Sequence, residues 1–148
     1  MCYRNMFKDC TSLIRASELP ATTLATDCYD GMFEGCTSLT TVPSILPATT
    51  LMKDCYNGMF AGCTNLTIAP KLPAAKLVDY CYYRMFENCS KLNNITMLAT
   101  SFKATYCLYN WVYNVAPTGT FTKHPNMISL PTHESGIPSG WTVIDYAA

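Results

Sequence analysis

Charge is scarce in this chain. Of its 148 residues only 14% are Asp, Glu, Lys or Arg, and ten basic residues balance ten acidic ones, so the formal net charge is zero. No overall field therefore draws the protein to nucleic acid or to an anionic membrane. Histidine is almost missing: His124 and His133 both fall in the last thirty residues, away from every cysteine. A thiol nucleophile would find no histidine base nearby in sequence, and no C-x2-4-C or Cys/His zinc spacing occurs. There is no G-x-x-x-x-G-K-[ST] phosphate loop and no H-E-x-x-H. Apolar runs stop far short of the roughly 18 to 20 residues of a membrane-spanning helix. The start, Met1-Cys2-Tyr3-Arg4, has neither a basic leader nor an apolar signal core. These absences predict a protein that is not an enzyme and has no cofactor or metal. Disorder is excluded by the 49% hydrophobic content, and the length suits one folded unit with a real core.

What the chain has in excess is cysteine at regular intervals. Nine cysteines stand at 2, 10, 28, 36, 55, 63, 81, 89 and 107. From the first of each pair the steps 2 to 28, 28 to 55, 55 to 81 and 81 to 107 are 26, 27, 26 and 26 residues. A fixed period of that size marks a stacked repeat. The units align as Cys-Tyr-x-x-Met-Phe-x-x-Cys, beginning at Cys2, Cys28, Cys55 and Cys81, and each carries a leucine three residues beyond its second cysteine. A fifth unit opens at Cys107 but replaces Met-Phe with Trp111-Val112 and the second cysteine with Val115. The pattern predicts repeats over 1–116 and a capping segment over 117–148.

Leu24, Cys28 and Met32 lie four residues apart, with Tyr29 and Phe33 beside them, a spacing that predicts an amphipathic helix over about 21–34. The next residue reads Asp9, Gly35, Gly62 and Asn88 through the units, all types that tolerate a left-handed stop. The Thr-rich stretch Cys36 to Pro43 predicts a short strand. The expected fold is an α/β solenoid of the leucine-rich-repeat kind, with one short helix and one short parallel strand per unit and an irregular C-terminal cap. A further short strand is expected at Trp141 to Ile144. Phe7, Phe33, Phe60 and Phe86 are expected in the core, with the Tyr3, Tyr29, Tyr56 and Tyr82 ladder beside them. Trp111 and Trp141 are expected to close the stack.

Met32-Phe33-Glu34-Gly35-Cys36-Thr37-Ser38-Leu39-Thr40 resembles the BspA-type leucine-rich repeats of bacterial surface proteins, and the likeness covers residues 2 to about 116. Cys28 departs from it, standing where that family usually has isoleucine. The tail from Gly119 to Val143 is similar to the closing units of such proteins. The resemblance implies a bacterial cell-surface or secreted origin and a role in adhesion, with a host or bacterial protein or a glycan as partner.

The cysteines allow three readings: disulfides, reduced core residues or metal ligands. Cys107 is present although its unit lacks a second cysteine, and pairing within units would strand it. Pairing between units joins Cys10 to Cys28, Cys36 to Cys55, Cys63 to Cys81 and Cys89 to Cys107, leaving Cys2 for an upstream repeat. Each such bridge would close 18 or 19 residues and contribute roughly 3 kcal/mol. An oxidising compartment would follow. Reduced, buried cysteine remains open beside this, as does pairing within units.

The residues free of packing duty form two rows, Ser12, Ser38, Asn65 and Lys91 in one, Ile14, Thr40, Thr67 and Asn93 in the other. If alternate strand residues point outward, these rows are a ligand-binding face. They hold no aromatic or arginine anchors, so each unit would bind weakly and strength would come from repetition. The alternative is a passive spacer in a larger surface or phage-borne protein.

Overall fold

A computed structural model of the chain describes residues 3–148. The segment expected as a helix is built from two alternating kinds of backbone hydrogen bond. Asp27, Tyr29, Gly31, Phe33 and Gly35 donate their N–H groups to the carbonyls of Lys53, Cys55, Asn57, Met59 and Ala61, one repeat further on, at 2.8 to 3.2 Å. Between them, Cys28, Asp30, Met32 and Glu34 donate three residues back within their own coil. The next coils repeat the scheme: Phe60 donates to Met85 and Phe86 donates to Trp111. Half of these N–H groups therefore run along the stack instead of along the segment, which an α-helix does not allow.

The helix expectation is corrected accordingly: among the described residues there is no helix, and none therefore that could cross a membrane. The segment is a run of turns in which every fourth residue is left-handed. In the second coil these are Asp27, Gly31 and Gly35, with φ of 57°, 59° and 73°. Asp9, Gly62 and Asn88 are left-handed too, at 59°, 74° and 61°, but each is the last of a series and terminates no helix. A chain that turns every four residues returns the same face at i, i+4 and i+8, so Leu24, Cys28 and Met32 face the core as they would from a helix.

The strand expectation fails in most coils for a different reason. Thr41 makes one parallel bridge to Arg15, and Ile68 one to Asn94. Two residues beyond these points stand Pro43 and Pro70, which have no N–H to extend a ladder. Where the corresponding residues are Thr96 and Thr122, strands do form. They are β1 (Asn94–Met97), β2 (Thr120–Lys123) and β3 (Thr142–Asp145), one parallel sheet in that order. Asn94 pairs with Thr120, and Thr120 with Thr142. The segment beyond 116, expected as an irregular cap, thus supplies two of the three strands, and the helix-plus-strand solenoid is not the fold of this chain.

The core is a set of columns. Phe7, Phe33, Phe60 and Phe86 stack with centroids 5.6 to 5.7 Å apart and planes within 12° of parallel. Tyr29, Tyr56 and Tyr82 form a second column ending on Trp111. Leu39, Leu66 and Leu92 are fully buried in equivalent places. At the first coil the columns emerge, with Phe7 half-buried and Tyr3 exposed. At the other end Trp111 is sealed by the tail, its Nε1 donating to the Gly136 carbonyl at 2.8 Å. Trp141 donates to the Ala116 carbonyl at 2.7 Å.

Candidate functional site

The cysteines that were candidates for bridging are free thiols in this structure, from Cys10 to Cys107, and all of these but Cys10 are buried. Cys2 lies outside the described residues. The expected ladder, Cys10 to Cys28, Cys36 to Cys55, Cys63 to Cys81 and Cys89 to Cys107, is not formed. Equivalent cysteines neighbour one another from coil to coil instead. Cys63 is felt electrostatically by Cys36 and Cys89, its own kind in the flanking coils, and Cys81 by Cys55 and Cys107. The second-column thiols have another task. Cys36, Cys63 and Cys89 donate from Sγ to the carbonyls of Phe7, Phe33 and Phe60 in the preceding coil, at 3.1, 3.2 and 3.0 Å. Burial pushes Cys55 and Cys89 up to about 12 and raises Cys36, Cys63, Cys81 and Cys107 as well. Such thiols are poor nucleophiles at neutral pH. Among the described residues no three His, Cys, Asp or Glu side chains gather as metal ligands would.

The two surface rows lie outside the three strands, and most of their residues are exposed. Ile14, Thr40, Thr67 and Asn93 are exposed, as are Ser12 and Lys91, while Ser38 and Asn65 are half-buried. Part of this face is tied to itself. Asn65 donates to the Thr37 carbonyl at 2.8 Å, Lys91 Nζ reaches Asn65 Oδ1 at 2.7 Å, and the Thr40 hydroxyl sits 3.4 Å from the Ile14 carbonyl. On the turn side, Arg4 pairs with Asp30 and Lys8 with Glu34 across the first two coils, each at 3.1 Å. Burial raises the Asp30 carboxyl above the ordinary range, against the pull of Arg4.

A second surface was not anticipated. Tyr80, Tyr83, Tyr106 and Tyr109 gather on the turn side of the fourth and fifth coils and line a hollow of about 290 Å³. Tyr83 and Tyr109 stack at 5.3 Å and 14°, while Tyr106 stands edge-on to Tyr109 at 81°. Tyr80 tilts between Tyr83 and Tyr106. Tyr106 and Tyr109 are 55% and 42% exposed, unlike the Tyr29, Tyr56 and Tyr82 column, which is buried. A sequence signal did exist. The places taken by Asp27 and Asp54 in earlier coils hold Tyr80 and Tyr106, and those of Asp30 and Asn57 hold Tyr83 and Tyr109. Attention to what the units share hides a substitution confined to two of them.

No family model, curated protein or solved structure matches this chain.

Proposed function

We propose that this protein is a non-catalytic binding module that displays an extended, nearly uncharged surface to a protein or glycan at a cell surface. The observation that carries the reading is where the coils differ. Core positions repeat the same residue types from coil to coil, whereas the surface rows vary: one runs Ser38, Asn65, Lys91, and the other runs Ile14, Thr40, Thr67, Asn93, with Thr repeated once. The apolar core does not dictate those residues, and Thr40, Thr67, Lys91 and Asn93 stand exposed to a ligand. The likeness of Met32 to Thr40 to BspA-type repeats supports a bacterial surface setting and an adhesive role, as a sequence resemblance. Repetition of weak contacts would supply the strength.

A passive spacer is the second reading, and the hydrogen bonds among Thr37, Asn65 and Lys91 favour it, because they give those side chains a structural job. A protein and glycan array probed with the chain, beside a variant carrying Asn65→Ala, Lys91→Ala and Asn93→Ala, separates the two. Binding of any arrayed ligand by the unaltered chain supports the module, and its loss in the variant locates it on this face. Silence from both supports the spacer.

A further inference from the structure

The geometry points to the tyrosine cluster of the fourth and fifth coils as a binding site for a neutral oligosaccharide, an inference that rests on the binding-module reading and moves its ligand from the two surface rows to the turn side. Three observations converge on it.

The first is the cost of placing these rings. Tyr80 and Tyr106 occupy left-handed backbone, with φ of 58° and 49°, where the earlier coils use Asp27 and Asp54. Asp, Asn and Gly take that conformation readily, while a bulky ring does so at an expense of order 1 kcal/mol. Burial does not repay the Tyr106 ring, which remains 55% exposed, while Tyr80 is half-buried.

The second is hydrogen-bonding capacity. Among the described residues no protein group bonds the hydroxyls of Tyr80, Tyr83, Tyr106 or Tyr109. Each hydroxyl can donate and accept, and all four belong to rings that line the hollow. A sugar offers the matching surface: apolar C–H groups on the ring face, and hydroxyls around its edge that both donate and accept. A proline-rich peptide also lies well on aromatic rings, but offers mainly carbonyl acceptors and would leave half of this capacity unused.

The third is charge and extent. The tyrosine hollow adjoins a second one, also of about 290 Å³, lined by Phe102, Leu108, Leu130, Pro131 and Ser135 and sharing Tyr106 and Tyr109 with the first. No charged side chain lines either hollow, which favours an uncharged ligand over a phosphate, sulfate or carboxylate. Lys53 approaches only the face of Tyr80, at 5.6 Å from its centroid. Two hollows meeting at a shared pair of rings suit a ligand of several linked sugars more than a single one.

The test is titration of the full chain with four neutral hexasaccharides (cellohexaose, chitohexaose, maltohexaose and mannohexaose) at up to millimolar concentration, followed by tyrosine fluorescence and calorimetry. Hexaproline serves as the competing ligand. At least one sugar is expected to bind. The double variant Tyr83→Asn and Tyr109→Asn, with the residue Asn57 has in the same place, is expected to weaken binding about tenfold, in line with the loss of aromatic stacking. Tyr109→Phe keeps the ring and is expected to weaken it about threefold by removing one hydroxyl. The variant carrying Asn65→Ala, Lys91→Ala and Asn93→Ala should bind normally. Failure of all four sugars, undiminished binding by the Asn variant, or hexaproline binding in place of sugar overturns the inference. A protein ligand lost with Asn65, Lys91 and Asn93, with no sugar bound, overturns it while leaving the binding-module reading standing; silence from every ligand class overturns both.

Discussion

The rings of Phe33 and Phe60 lie 5.6 Å apart and 12° from parallel, one repeat apart in sequence, and the Phe33 carbonyl accepts the thiol of Cys63 from the same neighbouring coil. Ring stack and thiol bond together fix each coil over the next. Phe60, fully buried with a phenyl ring on each side, should be among the costliest residues to truncate. Phe60→Ala is expected to lose about 3 to 5 kcal/mol in urea denaturation. Phe7→Ala, at the half-buried end of the column, should cost well under half of that. Equal losses at the two sites would mean that the column is not the source of stability.

Gly58 distinguishes the turn stack from the helix that its neighbours' spacing suggests. Its φ is 57°, and an added Cβ would meet nothing within 4 Å, so backbone strain is the sole expected effect of Gly58→Ala. In left-handed backbone the change should destabilise by about 1 kcal/mol, and Gly58→Asn should cost less. In a helix interior, Gly→Ala would stabilise by about 1 kcal/mol instead. The sign of the shift in thermal midpoint therefore reports the local conformation.

The columns were legible in the sequence and the backbone was not. The cysteine period identified Phe33, Phe60 and Phe86 as one row, because residues stacked at a fixed interval must be of one type to share a core. The step from spacing to helix failed because apolar residues at i, i+4 and i+8 state only that a face returns every four positions. Both a 3.6-residue helix and a four-residue turn satisfy that. The turns have their own trace in the sequence: Asp27, Gly31 and Gly35 are three left-handed formers at four-residue intervals, which a helix interior would not favour. Likewise Pro43 and Pro70 marked the coils unable to extend a strand, and Thr96 and Thr122 the ones that could. The tyrosine cluster was hidden by its departure from the repeat.

The free thiols make a chemical prediction. In native protein without reductant, Cys10 should alkylate, and the seven buried cysteines only after unfolding. Peptide mapping then should find all eight of these described cysteines modified; peptides joined through Cys10 and Cys28, or any other pair among them, would contradict the structure.

Their titration sets an alkaline limit. Desolvation raises Cys55 and Cys89 from about 9 to about 12 on folding. Below pH 9 both folded and unfolded chains hold these protons and the burial term is constant. Above it the unfolded chain releases them first, so stability should fall by about 1.4 kcal/mol per pH unit for each such cysteine until the folded value is reached. The buried phenols of Tyr56 and Tyr82, raised by the same cause, act in the same direction. Urea midpoints that hold steady between pH 9 and pH 11 would show that these groups are not buried. Replacing Cys55 by Ala should lessen the slope.

Trp111 takes the place that Met32, Met59 and Met85 hold in earlier coils and ends the tyrosine column at Tyr82, 6.2 Å away. Its edge meets Phe121 of β2 at 88°, and its Nε1 bonds the Gly136 carbonyl, so a single side chain joins the last turn segment, the sheet and the tail. Trp111→Phe keeps an aromatic ring but removes the donor, leaving the carbonyl without that partner. A loss of about 1 to 3 kcal/mol is expected from the hydrogen bond, with more from the smaller ring. Because the contact pins residues 131–137, hydrogen exchange should quicken at Val112, whose N–H bonds the Glu134 carbonyl, before it quickens at Phe33. Uniform acceleration through all coils would instead indicate that the tail and stack unfold as one unit.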